Sequence, residues 1–303
     1  MLKYIINIIR KIIGTQQIYN EIQIIQKKNQ KQMLLLSNAI AVLMMDKKII
    51  EESIIYEKTK KLVSLLEPKK VNAQQFIRIG KKNDGGYVML NNEAFKQSKI
   101  AYSFGISNDT SWDETIANYG KEIYMYDHTI DKLPTQNPKF KFFKIGLTGI
   151  LSSPYLKTIE ELILINNHQN ENNLLMKMDI EDCEWDVFNA VSSETLNRFS
   201  QIALEFHNLS PFMDNSKYNL VIDVLNKINL THQSVHIHAN SDISVPHMML
   251  NLVLPELLEV TFVRKDDIKD SFKENDQTYP TVIDEPTFAN FPDLFIGKFS
   301  TNF

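Results

Sequence analysis

The sequence predicts an α/β protein, a doubly wound and mostly parallel sheet preceded by an α-helical N-terminal extension. Three observations carry this. Beyond Glu67-Pro68, short apolar runs alternate with stretches of helical spacing, the element order that builds a parallel sheet. Glycine divides the chain, because all but Gly14 and Gly297 lie between Gly80 and Gly149. Polar and acidic residues follow the apolar runs directly, which is where sheets of this kind bind ligands.

Residues 1–66 form the extension. Ile18, Ile22 and Ile25, then Leu36, Ala39 and Leu43, and later Ile50 and Ile54 recur at helical spacing along one apolar seam. Such helices either pack on the domain behind them or join a second copy as a coiled coil or hairpin, giving a homo-oligomer through residues 1–66. Asn29 and Gln32 interrupt the seam and argue against one long coil. At the start, Lys3, Asn7, Arg10 and Gly14 share one face and Ile5, Ile8, Ile9 and Ile12 the other. That helix either caps a core or makes peripheral contact with a membrane surface. The opening segment begins like a signal peptide, but Arg10 and Lys11 break its apolar stretch and no small-residue cleavage site follows.

Residues 67–303 read as one domain. Ile100–Phe104 is a first strand ending at Gly105, and Thr110–Tyr119 is a helix. Asp109 or Thr110 caps that helix, Asp113 and Glu114 stand in its first turn, and Gly120 follows its end. Glu122–Tyr126 is the second strand and closes on Asp127. Phe140–Ile145 is the third and Leu174–Met178 the fourth, followed by a helix through Trp185 and Phe188. Ser200–Phe206 is the fifth, Tyr218–Asn229 has helical spacing, and Ser234–His238 and Glu259–Arg264 complete the set.

Composition narrows the function. Lys plus Arg is 33 against 37 for Asp plus Glu, a net charge of −4, so the basic excess expected of a nucleic-acid partner is missing. The single cysteine, Cys183, excludes an internal disulfide and a Cys-based zinc cluster, and points to the reducing cytoplasm. No run of about 18 uncharged apolar residues occurs, as a spanning helix would require. The longest candidate, Met33–Met45, is too short.

Gly105-Ile106-Ser107-Asn108-Asp109 leads from the first strand into a helix start, so Gly105 allows close backbone approach to a ligand beside free N–H groups. Asp127, roughly 20 residues on, is placed to accept from ribose hydroxyls. A dinucleotide loop would want three glycines around a pyrophosphate. One glycine suits a phosphate-free nucleoside, of which S-adenosylmethionine is the common one, while an ordinary turn with a surface aspartate stays open. Asp84-Gly85-Gly86 carries a strong turn signal and reads from the residues as a plain hairpin turn.

Several strings occur in one order: Arg78-Ile79-Gly80, Asn83-Asp84-Gly85-Gly86-Tyr87-Val88-Met89, Tyr102-Ser103-Phe104-Gly105-Ile106, Tyr126-Asp127 and Lys144-Ile145-Gly146. Met176-Lys177-Met178-Asp179-Ile180-Glu181 with Glu184-Trp185, Glu205-Phe206-His207 and His236-Ile237-His238-Ala239-Asn240 follow. From Arg78 to Arg264 the chain thereby resembles the FkbM-type methyltransferases. The resemblance implies a Rossmann-like methyltransferase sheet, S-adenosylmethionine as cofactor and O-methylation of a sugar or other small acceptor. It implies cofactor contacts from Gly105, Ile106 and Asp127, with Asp84, Gly85 and Gly86 closing over the methionine end and Asp179 and Glu181 beside the transferred methyl. One departure is visible: where that family has Gly-Ala between the two acids, this chain has Asp182-Cys183.

Methyl transfer needs an acceptor oxygen held in line and a base for its proton. His207 is the first candidate base, because histidine titrates near neutral pH, and Asp179 is the second. A divalent cation held by Asp179, Glu205 and His207 is conceivable. Glu205, His236, His238 and Asn240 are the acceptor-side candidates; of the two histidines on one strand face, one lines the pocket and the other packs. Trp185 reads as core. Two other classes stay open: a nucleotide-sugar- or NAD-using enzyme, and a non-enzymatic assembly protein with a vestigial methyltransferase domain.

Overall fold

Seven apolar runs pair into one sheet. In chain order they are β3 (Ile100–Phe104), β4 (Glu122–Tyr126), β5 (Phe140–Phe143), β8 (Leu174–Met178), β9 (Phe199–Phe206), β10 (His232–Ala239) and β13 (Leu258–Arg264). A hairpin, β1 (Phe76–Ile79) with β2 (Tyr87–Leu90), precedes them. Three further pairs are short: β6 (Gly146–Leu147) with β7 (Leu156–Lys157), β11 (His247–Met249) with β12 (Leu252–Leu254), and β14 (Thr278–Tyr279) with β15 (Gly297–Lys298). The computed structural model describes residues 27–34, 36–37, 50–71, 75–240, 246–268 and 275–303. The basic amphipathic start of the extension, and Ile18, Ile22, Ile25, Ala39 and Leu43 of its seam, lie outside the described residues.

The sheet order is β10-β13-β9-β8-β3-β4-β5, and only β13 runs antiparallel to its neighbours. From β3 the chain builds outward to β5, then returns to β8 on the other side. The strand order therefore reverses between β3 and β8, which opens a crevice beyond their carboxyl ends. Register aligns those ends, since Phe104 pairs with both Tyr126 and Met178, and Met178 pairs with Leu204. Residues 105, 127, 179 and 205–207 are thus brought to one edge.

Every residue of β8 and β9 is buried, as expected of parallel strands covered on both faces. One face packs against the helices Ile54–Leu66, Glu184–Ala190 and Asn215–Thr231, and the other against Trp112, Ile116 and the β1–β2 hairpin. The Ile54–Leu66 helix starts because the Ser53 hydroxyl accepts from Tyr56 N–H, and it buries Leu62, Val63 and Leu66. It is tied to the Asn215–Thr231 helix by Tyr218, whose hydroxyl donates to Lys58 O, and by Asn229, whose amide donates to Leu65 O. The chain position after Leu66 consequently separates two elements of one core, and the last helix of the extension packs on the domain behind it. Leu36 of the seam is exposed. Among the described residues no helix is long and apolar enough to cross a membrane.

The residues from 275 onward cross β10. His236 and His238, read as acceptor-side candidates, border neither of the two cavities described below and are buried beneath this segment. His236 Nε2 meets Asp284 Oδ1 at 2.8 Å, while His238 lies between Glu259 at 3.0 Å and Asp293 at 3.0 Å. Burial opposes charge on His238, but Glu259 and Asp293 outweigh it and raise its pKa to about 11. The folded value lies above the ordinary 6.5, so the stabilisation is complete below pH 6.5 and is lost as pH rises toward 11. In urea denaturation at a series of pH values, the native chain should lose more stability between pH 7 and 11 than His238→Gln does. Parallel curves would mean that this imidazole carries no such charge.

Candidate functional site

The crevice between β3 and β8 holds a cavity of about 490 Å³. Its floor is set by one glycine. Gly105 has φ +74°, and a Cβ there would stand 1.6 Å from the Asp179 carbonyl oxygen. The close approach foreseen at Gly105 is therefore made in the first place by the main chain of the neighbouring strand end. Lys177 fixes the same turn by donating to Gly105 O at 2.6 Å.

Asp127 borders this cavity and also builds it. One of its oxygens accepts from Ile106 N at 2.9 Å and Ser107 N at 2.8 Å; the other accepts from Thr129 N at 2.7 Å and Thr129 Oγ1 at 2.6 Å. Burial raises its pKa, but these four donors outweigh burial and hold it below the ordinary value. The four lone-pair positions of a carboxylate are then filled by the protein. Asp127 pins the Gly105 loop, and a ribose would have to share its oxygens.

Strain collects around the same edge. Ser107 after β3, Glu181 and Asp182 after β8, and Asn208 after β9 have φ of +50°, +55°, +78° and +56°. Non-glycine residues held in this region cluster where geometry serves a site. Asp182 has a left-handed backbone, a conformation that glycine adopts without steric cost. The Asp182 carboxylate lies 3.5 Å from Lys217.

The Asp84-Gly85-Gly86 turn closes the β1–β2 hairpin, and Asp84 and Gly85 border the cavity. Gly85 has φ +86°, and a Cβ there would strike the Asp109 carboxylate at 2.0 Å. Gly86 lies off the cavity and packs on Lys81 O. Burial and the facing Asp179 raise the pKa of Asp84. Asp113, read from the sequence only as a first-turn helix acid, also lines the cavity; burial lifts it to about 7.

A second cavity of about 450 Å³ shares Asp84, Asp179 and Glu181 with the first and adds Glu205, His207 and Asn240. Asn240 donates to Glu205 at 2.9 Å. Burial, Asp179 and Glu259, its cross-strand partner, push the Glu205 carboxyl well above its usual range. His207 contacts Glu184 through Nδ1 at 3.1 Å, and its Nε2 faces Glu181, Asp179 and Glu205 at 3.5, 3.9 and 3.9 Å. Burial opposes its charge, but the Glu184 bond and the surrounding carboxylates raise it to about 9. At neutral pH it holds a proton where a general base needs a lone pair. That counts against the first candidate base and leaves Asp179, whose Oδ2 lies 3.4 Å from the Tyr87 hydroxyl.

Glu184 was missed as a functional residue. It is fully buried, and one oxygen accepts from Ile180 N at 3.0 Å while contacting His207. It, rather than Glu205, joins Asp179 and His207 in the trio whose donor atoms lie within 4.8 Å of one another. Its sequence signals are its place three residues after Glu181 at a helix start and its part in the Glu184-Trp185 string. Trp185 is core as expected, stacked on Phe206 and donating to His207 O at 2.9 Å, so it also fixes the backbone of that histidine.

Comparison with protein-family models and with curated proteins found no match for this chain.

Two substitutions probe this framework by chemical denaturation. Asp182→Gly should stabilise the chain by up to about 1 kcal/mol by relieving the left-handed strain, whereas a loss would assign the Asp182 side chain a stabilising role of its own. Asp127→Asn should cost about 1–3 kcal/mol, because its amide must face an N–H donor. An unchanged midpoint would show that the pinning bonds contribute nothing.

Proposed function

We propose that this chain is an S-adenosylmethionine-dependent methyltransferase that methylates an oxygen of a small hydroxylated acceptor, such as a sugar of a surface polysaccharide. The observation that carries this is the state of the donors at the cavity floor. A pyrophosphate would need free N–H groups at the glycine turn and helix start. Here Ile106 and Ser107 N–H bind Asp127, and Ser111 N–H binds Asp109 at 3.0 Å. Six carboxyl side chains line the cavity against two lysines, Lys81 and Lys177. That lining disfavours phosphate and favours a phosphate-free ligand with positive charge, which a sulfonium and an ammonium supply. The sheet supports the same choice, because an antiparallel last strand between the fifth and sixth departs from the 3-2-1-4-5-6 dinucleotide order.

S-adenosylmethionine supplies an activated methyl that passes to a nucleophile by in-line displacement. The protein's share is placement and proton transfer. Asp179 borders both cavities and can take the acceptor's hydroxyl proton as the new C–O bond forms. His207 and Asn240 line the second cavity on the acceptor side, and Asp84 and Glu181 stand at the junction of the two cavities. Holding two reactants in line across such a junction supplies much of the rate.

Calorimetric titration of the purified chain with S-adenosylmethionine, with NAD in parallel, tests the cofactor class. Saturable binding of the first alone is the expected result, weakened at least about tenfold by Asp127→Ala, since loss of one charged hydrogen-bond hub costs about 1.5–3 kcal/mol. Binding of NAD alone, or of neither, would overturn the proposal.

A further inference from the structure

We infer that His207, with Asp179, Glu181 and Glu205, forms a divalent-cation site that Glu184 supports from behind. The imidazole is more than nine-tenths buried, with its two nitrogens in different roles. Nδ1 is fixed at 3.1 Å by the wholly buried carboxylate of Glu184. Nε2 points into the second cavity and makes no hydrogen bond among the described residues, although Glu181 Oε2, Asp179 Oδ1 and Glu205 Oε1 stand at 3.5, 3.9 and 3.9 Å from it. Oxygen and nitrogen atoms bound at about 2.1 Å to one ion stand roughly 3–4 Å apart, depending on the angle between them. Each of the three oxygens therefore stands from Nε2 at the spacing of two ligands on one ion, and donor atoms of Asp179, Glu184 and His207 lie within 4.8 Å of one another.

Two further observations favour a cation. A metal-binding histidine characteristically donates its second ring N–H to a carboxylate, which fixes the ring and raises its basicity. Glu184 occupies that position, and its other oxygen, Oε2, is buried with no hydrogen-bond partner among the described residues. The charge balance is also one-sided. Asp84 adds another carboxylate to the wall, while of the lysines at the far end Lys31 is paired with Glu256 at 3.1 Å. One imidazole with three carboxylates is a hard, oxygen-rich set, which suits Mg²⁺ or Mn²⁺ over thiolate-seeking metals. Where this site serves the methyl transfer proposed above, the ion would hold an acceptor oxygen beside Asp179; its binding does not depend on that proposal.

The test uses the whole purified chain, dialysed against EDTA and titrated with Mn²⁺ while free Mn²⁺ is followed by electron paramagnetic resonance, with Mg²⁺ as competitor. One saturable site per chain is expected. His207→Ala and Glu205→Gln should weaken it at least about tenfold, and Glu184→Gln, which removes no ligand, should weaken it about 10- to 100-fold. Glu181→Gln alters a side chain that is 88% exposed, so it reports on binding even where the buried variants fail to fold. Absence of saturable binding, or binding unchanged by Glu181→Gln and His207→Ala, overturns the site. Calorimetry with S-adenosylmethionine on the same samples separates the two proposals. Cofactor binding without Mn²⁺ binding removes only the ion, and Mn²⁺ binding without cofactor binding removes only the methyltransferase.

Discussion

Where β3 and β8 end side by side, the two chains leave the sheet closer together than a side chain permits. Gly105 turns through a left-handed conformation directly against the Asp179 carbonyl, and the space a Cβ would fill is occupied by that main-chain oxygen. Much of the crevice follows from this contact. It draws the Gly105 loop over the end of β8, where Lys177 can reach its carbonyl and Asp127 its amides. The β8 exit must then turn through two successive left-handed residues, Glu181 and Asp182, before the next helix begins. Packing density leaves little room for these segments to adjust independently.

Around that framework the protein concentrates negative charge at two depths. Near the crevice, Asp179, Glu181, Glu184 and Glu205 converge on one imidazole, and Asp84 borders the same cavity. One sheet edge further out, His238 is enclosed by Glu259 and Asp293. The chemistry of the two places differs because their exits differ. His238 has an acidic partner at each nitrogen and is sealed under the C-terminal segment. His207 has one partner behind it and an open cavity in front. Similar residue types thus give a structural ion cluster in one place and a site able to take a ligand in the other.

The fold was legible where local pattern and tertiary role agree. Ile100–Phe104, Glu122–Tyr126 and Leu174–Met178 are apolar runs bounded by turn or polar residues, and they are strands with those limits. The hairpin strand Phe76–Ile79 was not read, because Arg78 interrupts a four-residue run that is only partly buried. At the site, the residues following the strands were legible because parallel topology brings them together whatever their sequence separation. Their roles were less so. Asp127 has the position of a ligand acceptor, but its oxygens are filled by amides of residues 106, 107 and 129, a count no spacing rule supplies. His236 and His238 were placed correctly on one strand face, but their counter-charges Asp284 and Asp293 come from a segment without helical or strand periodicity. Glu184 has the look of an ordinary first-turn helix acid, and only burial against His207 distinguishes it.

The clasp over β10 bears on how the chain is made. His236 and His238 leave the ribosome 48 and 55 residues ahead of the aspartates that meet them. Until Asp284 and Asp293 have been synthesised, β10 lacks the segment that covers and pairs His236 and His238, so that face of it stays open to water. The outer sheet edge is therefore the last part able to close during translation. The parallel strands β3, β4 and β8 can assemble earlier, and the nascent chain carries an open sheet margin, a natural surface for a chaperone, until the residues around Asp284 and Asp293 have left the ribosome.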